Sequence, residues 1–264
     1  MKRVILYGIV LFLCGCDLIE YHPYDVRLHG ETGVNAKNIA RIEEICEGKD
    51  TLRFVLMGDS QRWYDETEDF VNALNKRDDV VFVIHGGDIS DFGLTKEFMW
   101  VRDIMGKLKV PYVALLGNHD ILGNGMDVFL KVYGDENFSF RAGNTKFVCM
   151  NTNALEFDYS HPVPDFTFMY NELQDTVGCS RTVPVMHVQP FNVEFNNNVA
   201  HGFHLLLQEF PGVEFCLHAH SHSLLHKELF DDGIPYIGCA AMKDKNYLLF
   251  TLTPGGYEYE VVYY

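Results

Sequence analysis

Val110-Pro111-Tyr112-Val113-Ala114-Leu115-Leu116 runs directly into Gly117-Asn118-His119-Asp120. The apolar run predicts a buried strand. The polar turn after it puts an amide, an imidazole and a carboxylate at the edge of a sheet where ligands bind in open α/β folds. Two earlier segments repeat the arrangement: Leu52 to Met57 enters Gly58-Asp59-Ser60-Gln61, and Val80 to Ile84 enters His85-Gly86-Gly87-Asp88. Downstream, Thr182 to Met186 ends on His187, and Val213 to Leu217 ends on His218-Ala219-His220. These five strand ends offer Asp59, Asp88 and Asn118 as oxygen donors and three histidines as nitrogen donors. That is enough for two metal ions.

The segments between these strands have helical periodicity. Thr67 to Lys76 carries Phe70, Val71 and Leu74 as an apolar stripe, and Thr95 to Lys107 carries Phe98, Val101 and Met105 behind a capped first turn. Strand, helix, strand, helix, strand predicts right-handed crossovers in a largely parallel sheet. Neighbouring strands lie about 4.8 Å apart, so carboxylates at adjacent ends can share a metal. Upstream, Asn35 fits the N-cap of a helix bearing Ile39, Ile42, Ile45 and Cys46. Downstream, Phe138 to Arg141 and Thr145 to Met150 read as a hairpin around Ala142-Gly143-Asn144. Phe166 to Val177 reads as a helix, and in Asn196 to Phe210 the residues His201 and His204 share a helix face. The runs 224–230, 235–240, 247–253 and 257–264 read as an antiparallel strand series. The loop from Asn151 to Pro164, with Trp63, Tyr64, Tyr159, His161 and Phe191, is the expected wall of a substrate pocket.

A chain of 264 residues with 47% apolar and 22% charged residues is most simply one globular domain. Its net charge of -16, from 21 basic against 37 acidic residues, repels nucleic acid backbones. Met1-Lys2-Arg3 and the apolar segment Val4 to Phe12 lead to Leu13-Cys14-Gly15-Cys16, which resembles the lipobox of bacterial lipoproteins. On that reading residues 1–15 are a signal peptide, Cys16 is acylated and membrane-anchored, 16–33 form a tether, and 34–264 form the domain, held at the bacterial cell envelope. The other cysteines, Cys46, Cys149, Cys179, Cys216 and Cys239, have no paired spacing and read as small buried hydrophobes.

In combination, Gly-Asp after the first strand, Gly-Gly-Asp after the second, Gly-Asn-His-Asp after the third and the later His-x-His resemble the calcineurin-like metallophosphoesterases from about Phe54 to His220. The resemblance implies an α/β fold of two mixed sheets packed face to face, with helices on both outer faces. It implies two divalent metal ions, with manganese, iron or zinc favoured by the donor types. Asp59 would bind the first, Asp88 would bridge, Asn118, His187 and His218 would bind the second, and His220 would return to the first. His119 would contact the phosphate and protonate the leaving oxygen, oriented by Asp120, and Asp91 would hold a ligand from behind. Where the family pattern has Asp-x-His, this chain has Asp59-Ser60-Gln61. A neutral amide oxygen there is a weaker and harder ligand, and His85, His161 and above all His222 are the candidates to compensate. The implied reaction is hydrolysis of a phosphate monoester or diester by a hydroxide held between the metals, on a phosphorylated small molecule or envelope component. Gln61 also motivates a second reading, a non-catalytic metal- or ligand-binding envelope lipoprotein that keeps the fold. The tether motivates a third, a hydrolase of other envelope material.

Overall fold

The computed structural model describes residues 26–157 and 159–264. The expected signal peptide, Cys16 and the first part of the tether lie outside them. The elements are α1 (Val34–Cys46), β1 (Leu52–Met57), α2 (Tyr64–Leu74), β2 (Phe82–His85), α3 (Thr95–Met105), β3 (Tyr112–Ala114), α4 (Gly125–Val132), β4 (Phe138–Ala142), β5 (Thr145–Met150), α5 (Phe166–Gln174), β6 (Arg181–Met186), α6 (Ala200–Gln208), β7 (Cys216–His218), β8 (Leu225–Glu228), β9 (Pro235–Gly238), β10 (Asn246–Thr253) and β11 (Gly256–Tyr263). They build two mixed sheets, ordered β11-β10-β1-β2-β3 and β4-β5-β6-β7-β9-β8.

Side-chain alternation along each central strand sorts residues into layers. Phe54 and Leu56 of β1, Phe82 and Ile84 of β2, Phe147 and Cys149 of β5 and Val183 and Val185 of β6 all enter the core between the sheets. Their neighbours Val55, Met57 and Val83 point the other way, onto Phe70, Val71 and Leu74 of α2 and Phe98, Val101 and Met105 of α3. On the far side, Val148, Met150 and Met186 meet Met169 of α5 and Phe203 and Leu207 of α6. The result is the expected helix, sheet, sheet, helix sandwich. Aromatic rings fill its middle. Phe54 stacks on Phe82 and on Phe250 at 5.2 Å, and Phe147 meets Phe54 and Phe82 edge-on at 5.2 and 5.3 Å.

Parallel pairing of β1, β2 and β3, and of β5, β6, β7 and β9, aims the carboxyl ends of the motif strands into one cleft. The C-terminal strands depart from a single antiparallel series. β8 and β9 form a hairpin in the second sheet, with β9 parallel to β7, whereas β10 and β11 join the first sheet with β10 antiparallel to β1. Asn35 also differs from expectation. α1 begins two residues earlier, capped by Gly33 in a left-handed conformation, so Asn35 sits inside the helix. Its amide donates to the carbonyl of Ala114 and accepts from the Ala114 N–H, both at 2.9 Å, closing the open edge of β3. The cysteines of the described residues are free, and only Cys179 is partly exposed. Among the described residues no helix is long and apolar enough to cross a membrane.

Candidate metal centre

Four loops after strand ends are locked to one another by backbone bonds. The Asp59 N–H donates to the Gly87 carbonyl at 3.0 Å, those of Ser60 and Gln61 donate to Asp88, and that of Ala219 donates to His187. The packing leaves no room for side chains at two glycines. A Cβ on Gly87 would lie 2.6 Å from His187 Nδ1, and one on Gly117 would overlap the backbone nitrogen and carboxylate of Asp88. Asp59, Asp88, His220 and His222 all adopt left-handed backbone with φ of 52, 58, 65 and 52°. Such conformations are uncommon outside glycine and gather where a fold holds functional groups.

Two clusters of ligand atoms result, sharing one carboxylate. Asp88, His187 and His220 form one, and Asp59, Asp88 and His222 form the other. In the first, His187 Nδ1–H donates to the Gly86 carbonyl at 2.8 Å, so Nε2 faces Asn118 Oδ1 at 3.0 Å and Asp88 Oδ1 at 3.3 Å. His220 Nδ1 stands 3.0 Å from the same Asn118 oxygen. A histidine whose other nitrogen is fixed by a carbonyl is in the state that metals bind. In the second cluster His222 Nε2 lies 3.5 Å from Asp59 Oδ1. Both Asp59 oxygens and Gln61 Oε1 are buried without a hydrogen-bond partner. A buried, unpartnered Asp59 carboxylate beside Asp88 and His222 fits a cation, and the mixture of carboxylate, amide and imidazole around it suits a divalent transition ion.

The electrostatics agree with a site built for positive charge. Burial pushes Asp59 up to about 8, with the charge of Asp88 adding to it and that of His187 opposing. For His187 burial works against the charged form, but the Asp88 carboxylate prevails and lifts it to about 9. Burial and the neighbouring His187 charge lower His220 to about 4.

Asp59, Asp88, Asn118 and His187 come together and Gln61 lies beside them, but His220 joins Asp88 and His187 instead of returning to the Asp59 position, where His222 stands. Two further positions depart from expectation. His218 belongs to neither cluster: it is the last residue of β7, buried flat against Gly238, its register partner in β9. The chain leaves the ladder only after it, so the loop presents His220 and His222 to the cleft. The alternation of three histidines in sequence could not show where the strand stops. Asp120 does not hold His119. Its carboxylate accepts from the N–H groups of Ile89, Ser90 and Gly117 and from the Ser90 hydroxyl, fastening the Asp88 loop to the Asn118 loop. His119 Nδ1 is instead held by the Asp91 carbonyl at 2.9 Å, with the Asp91 carboxylate at 3.7 Å, and that carboxylate also takes Arg62 Nη2 at 2.6 Å. Burial lowers the His119 pKa, but Asp88 and Asp91 outweigh it and raise it above the ordinary value.

The remaining histidines serve elsewhere. His85 lies beneath the site, accepting the Gly87 N–H at Nδ1 and donating from Nε2 to Ser60 Oγ. Burial lowers it to about 3, so it stays neutral. His161 pairs with Glu136 and stacks on Phe157, and with Tyr159 it lines a cavity of about 510 Å³ under the 154–163 loop. His204 is buried between Tyr236 and Asp232. Trp63 packs into the outer core, Tyr64 sits edge-on to Trp100, and Phe191 lies against Phe230.

Comparison with known proteins assigns the class. Residues 52–224 match the calcineurin-like phosphoesterase family model, and the chain belongs to that family. Among curated proteins it is similar to YvnB of Bacillus subtilis, an uncharacterized protein, at 22% identity over 227 residues. That match spans 74% of this chain but 17% of the relative. Among solved structures it is similar to GAP50, the anchor in the inner membrane complex of Plasmodium, with a TM-score of 0.60 at 15% identity, covering 81% of this chain and 85% of that one. It is also similar to the purple acid phosphatase PPD1 of yellow lupin, with a TM-score of 0.58 at 13% identity, covering 81% and 52%. TT1561 of Thermus thermophilus gives a TM-score of 0.55 at 15% identity, covering 80% and 98%.

Proposed function

We propose that this domain is a metal-dependent phosphoesterase that hydrolyses a phosphate monoester or diester at two divalent ions. The observation that carries the reading is the pair of clusters sharing Asp88, with buried carboxylate and amide oxygens lacking any donor. Asp59, Gln61, Asp88 and His222 would hold one ion, and Asp88, Asn118, His187 and His220 the other. Ions bound there would lower the pKa of water and neutralise charge on the phosphoryl oxygens.

The protein's own groups then divide the work. The Asp91 carbonyl fixes His119 through Nδ1, which leaves Nε2 as the atom that gives a proton to the departing oxygen. The carboxylates of Asp88 and Asp91 raise the pKa of that imidazole above its ordinary value and so favour its proton-bearing form. Asp120 keeps the two loops in register. Glu194 accepts the Ala154 N–H at its backbone carbonyl at 2.9 Å, its Oε2 is buried without a partner, and its carboxyl interacts electrostatically with His187, Asp88 and His119. The substrate on this reading is a phosphorylated small molecule or envelope component. The acidic surface argues against nucleic acid.

The sequence Leu13-Cys14-Gly15-Cys16 supports a lipid anchor on Cys16 and residence in a bacterial cell envelope. Mass analysis of a Cys16→Ser variant tests it; an unchanged acylated mass refutes the anchor.

For the activity, the test is turnover of an aryl phosphate monoester and an aryl phosphodiester after loading with manganese, zinc or iron, alongside elemental analysis. Asp88→Ala should lose metal and activity together. His119→Ala should keep metal and lose more rate on poor leaving groups than on activated ones. One bound ion or none, without turnover on either ester under any loading, would favour the non-catalytic reading that Gln61 motivates.

A further inference from the structure

We infer that the two metal positions are chemically unlike, and that Gln61 makes the position of Asp59 and His222 selective for a hard ion such as manganese(II) while the other favours zinc(II). The inference rests on the two-ion reading above but adds to it an order of binding and a metal preference. Gln61 is buried in the cleft with 3% of its surface exposed. Its Nε2 lies 3.1 Å from Asp88 Oδ2 and 3.4 Å from His222 Nε2, within the second cluster, and its Oε1 has no partner. The amide oxygen and nitrogen have nearly the same shape. Turning the amide over brings Oε1 to the place Nε2 holds, facing the same cleft; this gives up the hydrogen bond to Asp88 and leaves the NH2 group where Oε1 stood, an exchange that a cation held between Oε1 and the Asp88 carboxylate offsets.

With Oε1 turned inward, the Asp59 position offers two carboxylates, one amide oxygen and one imidazole. The His187 position offers one carboxylate, one amide oxygen and two imidazoles. Oxygen-rich sets suit magnesium, calcium and manganese, whereas imidazole favours zinc, iron and copper. The shared Asp88 contributes equally to both and cannot discriminate. Each position has one amide oxygen, so the contrast lies between the second carboxylate, Asp59, on one side and the second imidazole on the other, and Gln61 preserves it by standing where an imidazole would make the nitrogen counts equal. Arg62, the next residue, is committed to Asp91 and supplies no ligand.

The test is competition binding on metal-free protein, with bound manganese(II) followed by electron paramagnetic resonance as zinc(II) is added. The wild type should release manganese in two steps, the Asp59 position showing a zinc-over-manganese preference about tenfold or more below that of the other. Gln61→His should close the gap and merge the steps. Gln61→Leu, of similar bulk but without a donor, should weaken manganese at that position about tenfold and leave the other unchanged. His220→Ala should weaken the opposite step, which assigns the two. A single merged step in the wild type, or a Gln61→Leu profile identical to it, overturns the inference while leaving the two-ion reading intact. Wild type that binds neither ion overturns the two-ion reading itself.

Discussion

Replacing Asp120 separates two roles that its place beside His119 confuses. Its Oδ1 takes the N–H groups of Ile89 at 2.9 Å and Ser90 at 2.7 Å with the Ser90 hydroxyl at 2.9 Å, and its Oδ2 takes Gly117 N–H at 2.9 Å. All of this is buried. Asp120→Ala leaves three backbone donors unsatisfied at ~1–3 kcal/mol each, and water entering the vacated space recovers part of the sum. The expected loss is therefore about 3–5 kcal/mol of folding stability. Asp120→Asn keeps one acceptor oxygen for Ile89 and Ser90 and orphans only Gly117, so about 1–3 kcal/mol is expected. Urea unfolding of the metal-free protein, with the slope held constant between variants, measures both. In parallel, the His119 imidazole followed by NMR should keep its raised pKa in Asp120→Asn, because Asp88 and the Asp91 carbonyl and carboxylate remain. An Asp120→Ala variant within about 0.5 kcal/mol of wild type, with His119 falling to an ordinary histidine pKa, would refute the assignment and restore Asp120 as the group that orients His119.

Two further outcomes follow from the same geometry. Asp59 at about 8 and His187 at about 9 are largely protonated near neutral pH in the metal-free protein, and each must lose its proton to bind an ion. Metal affinity should thus fall as pH drops from 9 toward 6, with proton release seen as a buffer-dependent heat in titration calorimetry; heats independent of buffer would contradict it. Asn35→Ala should cost about 2 kcal/mol or more by orphaning both backbone groups of Ala114 at the sheet edge. Faster hydrogen exchange at the Ala114 amide checks this, and unchanged protection would show that the edge is closed by something else.

The strands were legible as apolar runs whose ends the polar turns mark, and the two-sheet layering followed from the family resemblance that those turns carry. Asp59, Asp88, Asn118 and His187 could be picked out one by one, since each lies within four residues of its strand's end. Which histidines after β7 reach the cleft was not legible. His218, His220 and His222 share one spacing, and only the pairing of His218 with Gly238 shows that the first remains in the ladder. The partner of His119 was equally hidden, since Asp120 is adjacent in sequence while Asp91 arrives through a different loop. The split of the last four strands between two sheets likewise depends on pairing over long separations, with β10 returning to β1. Local pattern therefore determined the strands, their ends and the chemical types gathered there. Tertiary packing alone decided which side chains face each other, because that depends on where each ladder stops and on contacts between residues far apart in the chain.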